Sequence, residues 1–441
     1  KKTRYSGEYV KFSNICVLGL GYIGLPTAGT FATCGMRVVG VDVNPHVVST
    51  LQNGGLHIRE PGLRTIIRAA FQSGNLKVVP KPVEADAFII AVPTPIHPDK
   101  TADLSYVRAA AESVRSVLKK GNLVVLESTS PPRTTQDVVR PILEESGLAA
   151  GKDFLLAYSP ERVLPGQILR ELIENARVIG GIDPASAEAG RDLYGLFVRG
   201  EIILTDATTA ETVKLMENTF RDVNIALANE FLRLSERYGV DVWEAIAVAN
   251  RHPRVDILRP GPGVGGHCIS VDPWFLVEPA PDLTPLIRTA REVNDSQPEY
   301  VVRYLEGIMG DLSGRRIAVL GLAYKADVDD VRESPSVEIL RLLDRRGANA
   351  TVFDPLAPAV ALPGERAASP EEAADGADAL LLLVGHQPFR DLDPVALRPR
   401  MADPLSVDCA DAWDRVRWEA GGFRFHRLGD GRGRMRDSTA P

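Results

Sequence analysis

At 441 residues, 44% hydrophobic and 25% charged, the chain has a globular composition and is too long for one ordinary core, so two or three domains are expected. Its formal net charge of −7 argues against nucleic-acid binding as the main business, while leaving room for a local basic site for phosphates. The longest apolar run, ALLLLVG near residue 380, is far short of a membrane span and reads as a buried strand.

The first stretch, KKTRYSGEYVKFS, carries charge but no apolar core and does not read as a signal peptide. NICVLGLGYIGLPTAGTFATCG then runs from a short apolar strand through glycines into a helical pattern, and VVGVDVNP is a second strand ending in an acid. ADAFIIAVPTP and LVVLEST repeat the idea. Apolar strands alternating with helical stretches predict a parallel sheet covered on both faces. From about 207 to 250 one long, nearly uninterrupted helical stretch is expected, broken by the loop RPGPGVGGHCISVDPW. A further helix is expected over LIRTAREVNDSQPEYVVRYLEGIM. After Gly314 the opening theme returns: RRIAVLGLAYK, NATVFDP and GADALLLLVGH parallel ICVLGLGYIG, RVVGVDVNP and EADAFIIAVPTP. The expected architecture is α/β: two Rossmann-like doubly wound parallel-sheet domains, 11–205 and 314–427, joined by a central helical domain, 206–310, with a disordered tail over 428–441.

Gly19, Gly21 and Gly24 form G-L-G-Y-I-G between a strand and a helix. In a dinucleotide site the first glycine permits the tight turn, the second lets backbone approach a pyrophosphate, and the third packs helix on strand. The helix N-terminus then offers free N–H groups and a positive dipole end. Asp42 closes the next strand 23 residues after Gly19, where a carboxylate can accept from a ribose diol and disfavours a 2′-phosphate. Together these point to NAD, with Tyr22 and Ile23 in the same turn. Thr94 in AVPTP and Thr129 in ESTSP follow apolar strands at the edge where such folds bind ligands, although each could equally be a turn or cap residue.

The cysteines stand at 16, 34, 268 and 409, with no close pair and no metal-ligand spacing, so reduced thiols in a cytoplasmic protein are expected and no metal site. Cys268 lies in a loop too rich in glycine to be a core strand; the other three read as small buried hydrophobes. A thiol ringed by glycines is open to a substrate carbon, and nearby N–H groups can stabilise a thiolate or an oxyanion. On the long helix Lys214, Asn218 and Arg221 recur at i, i+4 and i+7 and share one face. Val213, Met216, Phe220, Val223 and Leu227 mark apolar sides and predict a largely buried helix. The polar stripe then either faces a phosphorylated, hydroxyl-rich ligand or closes salt bridges with Glu211, Glu217 and Asp222.

GLGYIGLPTA, VPTP, ESTSP, SPERVLPG, KLMENTFRDVNIALANE, PGPGVGGHCISVDPW and VLGLAYKADVDDVRESP, over roughly residues 14 to 425, resemble the UDP-glucose/GDP-mannose dehydrogenase family in content and order. The resemblance implies a four-electron oxidation of a sugar's primary alcohol, with two NAD+ consumed and thiohemiacetal and thioester stages on Cys268. It assigns Lys214 to proton transfer or oxyanion stabilisation, Asn218 to the same oxygen, and Asp272 to positioning lysine or water. Glu161 is implied as the group that activates the hydrolytic water. Substrate contacts carry over to Arg162 and Val163 in SPERV, Lys214, Asn218 and Arg221 on the helix, His252 and Arg254 in NRHPR, and Gly265. Tyr324, Lys325 and Arg332 match positions that grip UDP. NRHPR resembles a segment supplied to the neighbouring subunit's site, which implies a homo-oligomer, with a dimer expected. Within the family, ANRHPRVDILRPGPGVGGHC followed by SVDPWF resembles enzymes that make UDP-N-acetyl-D-mannosaminuronate from UDP-N-acetyl-D-mannosamine for surface polysaccharides. The alternatives are UDP-N-acetylglucosamine, less so UDP-glucose, a non-catalytic NAD or nucleotide-sugar sensor, and a Rossmann-type 3-hydroxyacid dehydrogenase. The last would need no cysteine nucleophile, and a sensor would be expected to have lost one of the four chemical residues. Two departures stand out: Pro132–Arg133 where a small pair such as Val-Gly is common, and Ser159 where Cys is more frequent.

Overall fold

The structure, a computed structural model, describes residues 12–357 and 361–433. The N-terminal stretch before Phe12 and the end of the expected tail, 434–441, lie outside the described residues. The described residues form two compact units, one from 12–217 with 274–281, the other from 218–273 with 282–357 and 361–433.

The first unit holds β1 (Asn14–Leu18), β2 (Arg37–Val41), β3 (Leu76–Val79), β4 (Ala87–Ile90), β5 (Leu123–Leu126), β6 (Leu155–Tyr158), β7 (Arg177–Gly181) and β8 (Ile202–Asp206). They make one sheet in the order β3-β2-β1-β4-β5-β6-β7-β8. Along β1, Ile15 and Val17 enter one buried cluster while Cys16 and Leu18 enter another, so the strand is apolar on both faces because helices cover both. Every neighbouring pair is parallel except β6–β7, where Ala157 faces Gly181 and Tyr158 faces Gly180 in antiparallel register. The segment 159–176 therefore starts and ends at one edge of the sheet and never crosses it. That reversal was not read in the sequence, and it delivers Arg177 to the edge where β1, β4, β5 and β6 end.

In the second unit β9 (Arg316–Leu320), β10 (Asn349–Phe353), β11 (Glu365–Arg366), β12 (Ala379–Leu382), β13 (Leu405–Asp408) and β14 (Arg424–Arg427) form an all-parallel sheet ordered β11-β10-β9-β12-β13-β14. The two-faced pattern repeats, with Leu381 in one cluster and Leu380 and Leu382 in another. The expected pair of α/β sheets is borne out, and the internal repeat is structural.

The helical expectations need correction in three places. The long helix spans Ala207–Tyr238 and stops at Gly239, whose φ of 71° leaves helical space; Asp241 then caps a separate helix, Val242–Ala249. The stretch after residue 284 is likewise two helices, Pro285–Asp295 and Gln297–Met309, because Pro298 has no N–H and its ring crowds the carbonyl four residues back. The apolar positions marked on the long helix do not all face inward. Met216 is 59% exposed and Phe220 64%, while Glu211, Lys214, Asn218 and Asp222 are buried. Cys34, expected to be buried, is exposed at the end of the first helix, Gly24–Thr33.

Arg133 adopts φ +75°, which is comfortable for glycine and strained for a residue with a Cβ. Its N–H donates to Glu211 Oε2 at 2.5 Å, and Glu211 Oε1 accepts from Thr135 N at 2.7 Å and Oγ1 at 2.6 Å. Burial pushes the Glu211 carboxyl up to about 7. The strain is thus held by a buried clasp between the loop and the start of the long helix. Arg133→Gly is expected to raise the melting temperature by about 2–4 °C. The lost pair with Asp137 is exposed on both sides and offsets little. An unchanged or lower melting temperature in thermal unfolding would refute the strain.

Candidate active site

At the first strand–helix turn the three glycines do three different jobs. Gly19 has φ +89°, and a Cβ there would meet the Ala91 carbonyl oxygen at 2.5 Å. A Cβ on Gly24 would lie 1.8 Å from the Gly19 oxygen, so only glycine lets the helix start this close to the strand. A Cβ on Gly21 would meet nothing within 4 Å, and Gly21 is exposed. The open glycine stands where an anion would approach, ahead of a helix whose N-terminus has no side-chain cap. Asp42 follows β2, and its Oδ2 accepts from Leu20 N at 3.0 Å while Oδ1 accepts from Asn44 N at 2.8 Å. These bonds aim the carboxylate beside the turn. Tyr22 and Ile23 are half-buried in the turn itself. Thr94 Oγ1 donates to the Thr129 carbonyl at 2.5 Å, tying the loops after β4 and β5 together at the sheet's carboxyl edge. This arrangement fits a dinucleotide.

The corresponding acid of the second sheet, Asp354, is used differently. It accepts from Leu322 N at 2.7 Å, Ala323 N at 3.2 Å, Leu356 N and Ala357 N at 2.8 Å, and from buried His386 at 3.0 Å. The Asp327 N–H donates to His386 Nδ1, which places the ring proton on Nε2, facing Asp354. Against burial, His386 and the backbone N–H groups hold Asp354 well below the usual carboxylate range. Its oxygens are saturated, and the turn is Gly321-Leu-Ala-Tyr-Lys rather than a full glycine fingerprint. The repeat has kept the fold and closed the diol-binding acid.

Cys268 is an exposed thiol, while Cys16 and Cys409 are buried. Its loop is pinned at several points. Asn229 Oδ1 on the long helix accepts from Gly261 N at 2.9 Å, and Gln297 Nε2 donates to Gly261 O at 3.0 Å. Gly266 N donates to Arg332 O at 3.3 Å, and a Cβ on Gly266 would lie 2.9 Å from the Tyr324 ring. A Cβ on Gly265 would meet the Glu333 oxygen at 2.4 Å. The glycines of the Cys268 loop thus let it lie flat on the turn that carries Tyr324 and Arg332. Arg332 forks onto Asp330 at 2.8 and 2.7 Å, and Lys325 is exposed nearby in sequence. Burial, then the Arg332 charge, pushes His267 below its ordinary range. Beyond the thiol, the Cys268 carbonyl accepts from Val271 N at 3.1 Å and Asp272 N at 2.8 Å. That tight turn buries Asp272, which accepts from Asn218 Nδ2. One turn back on the helix, Lys214 is 8% exposed and its amine makes no hydrogen bond or ion pair among the described residues.

Three adjacent stretches match family models: the NAD-binding domain of the UDP-glucose/GDP-mannose dehydrogenase family over residues 13–198, its central domain over 208–296, and its UDP-binding domain over 318–415. The chain belongs to that family. It is 46% identical to UDP-N-acetyl-D-mannosamine dehydrogenase of Methanocaldococcus jannaschii over 95% of this chain and 97% of that one. It is 48% identical to NDP-N-acetyl-D-galactosaminuronic acid dehydrogenase of Ralstonia solanacearum over 93% and 99%. Among solved structures it is similar to UDP-D-ManNAc dehydrogenase from Pyrococcus horikoshii, with a TM-score of 0.89, 41% identity, and 95% and 99% coverage.

As a member of this family the chain is an NAD-dependent nucleotide-sugar dehydrogenase with a UDP-sugar substrate. Several residues that the resemblance assigns to substrate have partners of their own. The Arg162 guanidinium pairs with Glu217 at 2.6 Å and donates to Ala176 O at 3.0 Å, and Val163 packs on the first unit's core. Arg221, His252 and Arg254 are exposed. Glu161 accepts from Arg162 N at 2.8 Å and is paired with buried Arg177. The Ser159 departure has a partner too, since its Oγ accepts from Arg177 at 3.0 Å. Sequence reading missed Asn229, Gln297, Glu127 and Arg177. For the last two a signal existed, because each is a charge joined to an apolar strand, in LVVLE and RVIGG.

Proposed function

We propose that this enzyme oxidises the C6 alcohol of UDP-N-acetyl-D-mannosamine to UDP-N-acetyl-D-mannosaminuronate, through a thiohemiacetal and then a thioester on Cys268. The observation that carries the reading is the exposed thiol, on a loop that Gly265 and Gly266 allow to rest against Tyr324 and the Arg332 turn. Gly19, Gly21, Tyr22, Ile23, Gly24, Asp42, Thr94 and Thr129 would hold NAD+, which would supply the hydride acceptor for both oxidations. Lys214 takes the alcohol proton and stabilises the oxyanion, Asn218 donates to the same oxygen, and Asp272 orients them. The Asn218–Asp272 bond and a Lys214 amine with no hydrogen bond or ion pair among the described residues support those roles. Arg162, Val163, Arg221, Gly265, Tyr324, Lys325 and Arg332 would hold the nucleotide sugar, with His252 and Arg254 reaching the site of a second copy. The exposed Met216, Phe220, Leu227 and Leu234 along the long helix support a homodimer. The domain limits 11–205, 206–310 and 314–427, a cytoplasmic location and a role in surface polysaccharide synthesis belong to the same reading.

A second reading differs only in the sugar, because a relative at 48% identity is named for N-acetyl-D-galactosaminuronic acid. The test offers UDP-N-acetyl-mannosamine, -glucosamine and -galactosamine separately and counts NADH per sugar. The manno sugar is expected to give the highest kcat/KM, with a ratio near two. A higher kcat/KM for another epimer would replace the substrate, and a ratio of one would remove the thioester.

A further inference from the structure

The reversal of β7 has a chemical consequence at the edge of the first sheet. Arg177 opens that strand and is 4% exposed. Its Nη1 donates to Glu127 Oε1 at 3.2 Å and to Ser159 Oγ at 3.0 Å, and its Nη2 pairs with Glu161 Oε2. Its guanidinium carbon lies 4.2 Å from the centre of the Tyr194 ring, and Tyr194 OH donates to Glu127 Oε1 at 2.9 Å. One guanidinium thus faces two buried carboxyls. Glu127 Oε2 is buried without a hydrogen-bond partner among the described residues. An ionised oxygen there would be costly, and burial pushes the Glu127 carboxyl up. None of the four residues Glu127, Ser159, Arg177 and Tyr194 has a part in the chemistry described above, yet three of them gather around Arg177, which pairs with Glu161.

We propose that Glu127 and Arg177 are a positioning pair for Glu161. Tyr194 and Glu127 hold the guanidinium in place, and the guanidinium, with the Arg162 N–H, fixes the plane of the Glu161 carboxylate. This rests on the reading that acid is released from a thioester with Glu161 as base. In that step water bonds through oxygen to the thioester carbon and gives one proton to Glu161. The C–S bond breaks with its electron pair on Cys268 Sγ, and the acid loses its remaining proton to solvent. Positioning of the base affects this step and neither hydride transfer. In an all-parallel sheet the first residue of β7 would sit at the opposite edge, out of reach of Glu161.

The experiment mixes full-length enzyme with NAD+ and UDP-N-acetyl-mannosamine, follows NADH formation, and measures intact mass after quenching. In Arg177→Met, a burst approaching two NADH per active site is expected at the wild-type rate. Steady-state turnover should then fall about tenfold to a hundredfold, with an acyl adduct accumulating on Cys268. Arg177→Lys should restore part of the turnover. Glu127→Ala should show the same split more weakly, and it carries the test should Arg177→Met fail to fold. If burst and steady state fall in equal proportion, the pair is structural and the proposal is overturned; unchanged turnover in both variants overturns it as well. Glu161→Gln separates the two layers. Adduct trapped there but absent from the Arg177 and Glu127 variants sinks the pair alone, whereas no adduct in Glu161→Gln sinks the thioester-base reading and the pair with it.

Discussion

Cys268→Ser is expected to lower acid formation at least about a thousandfold, with NADH per sugar dropping below two. A serine oxygen is a far weaker nucleophile at neutral pH than a thiolate, and an ester is a poorer second intermediate than a thioester. The fold should be untouched, because serine is close to cysteine in size, the thiol is exposed, and glycines and contacts with Tyr324 and Arg332 shape the loop. Product acid can be measured directly beside NADH. Acid released at the wild-type rate would show that the nucleophile lies elsewhere, since Cys16 and Cys409 are buried and Cys34 lies at the far end of the helix that opens at Gly24.

Lys214→Met is expected to change activity and stability in opposite directions. Turnover should fall about a hundredfold to a thousandfold, the usual cost of removing a group that stabilises charge in the transition state. The melting temperature should rise, because the side chain as a whole is 8% exposed and its amine makes no hydrogen bond or ion pair among the described residues. Exchanging such a group for an apolar one of similar length is worth about 1–3 kcal/mol. A buried polar group that costs stability is retained for what it does, so the two measurements together separate a catalytic lysine from a structural one. A lower melting temperature with activity preserved would assign Lys214 to the scaffold.

The two sheets were legible because a strand covered on both faces must be apolar along its whole length, and ICVL, FII, LVVL and ALLL are short enough to be strands and nothing else. The glycine fingerprint was legible for a related reason. At Gly19 and Gly24 a Cβ would strike backbone at 2.5 and 1.8 Å, and backbone cannot move aside as a side chain can, so the constraint is written into residue type. The long helix misled because its apolar residues were assumed to face inward. Its buried residues include Leu215, Ala226, Ala228 and Leu232 but also Glu211, Lys214, Asn218 and Asp222, and of these four all but Lys214 have a hydrogen-bonding partner distant in sequence among the described residues. Whether a polar stripe is buried depends on such partners, and periodicity alone cannot supply them.

By itself, the sequence determined the two α/β sheets, the glycine turn with its acid, and the glycine-rich setting of Cys268. Each is a local constraint of sterics or patterning that acts within a few residues of chain. Only the tertiary structure decided that β7 runs backward, that Asp354 is saturated by His386 and backbone N–H groups while Asp42 is not, and that Glu127, Arg177 and Glu161 meet. Those outcomes depend on which distant segments pair, and hydrogen bonds and ion pairs across 16 to 50 residues leave no periodic trace in the chain.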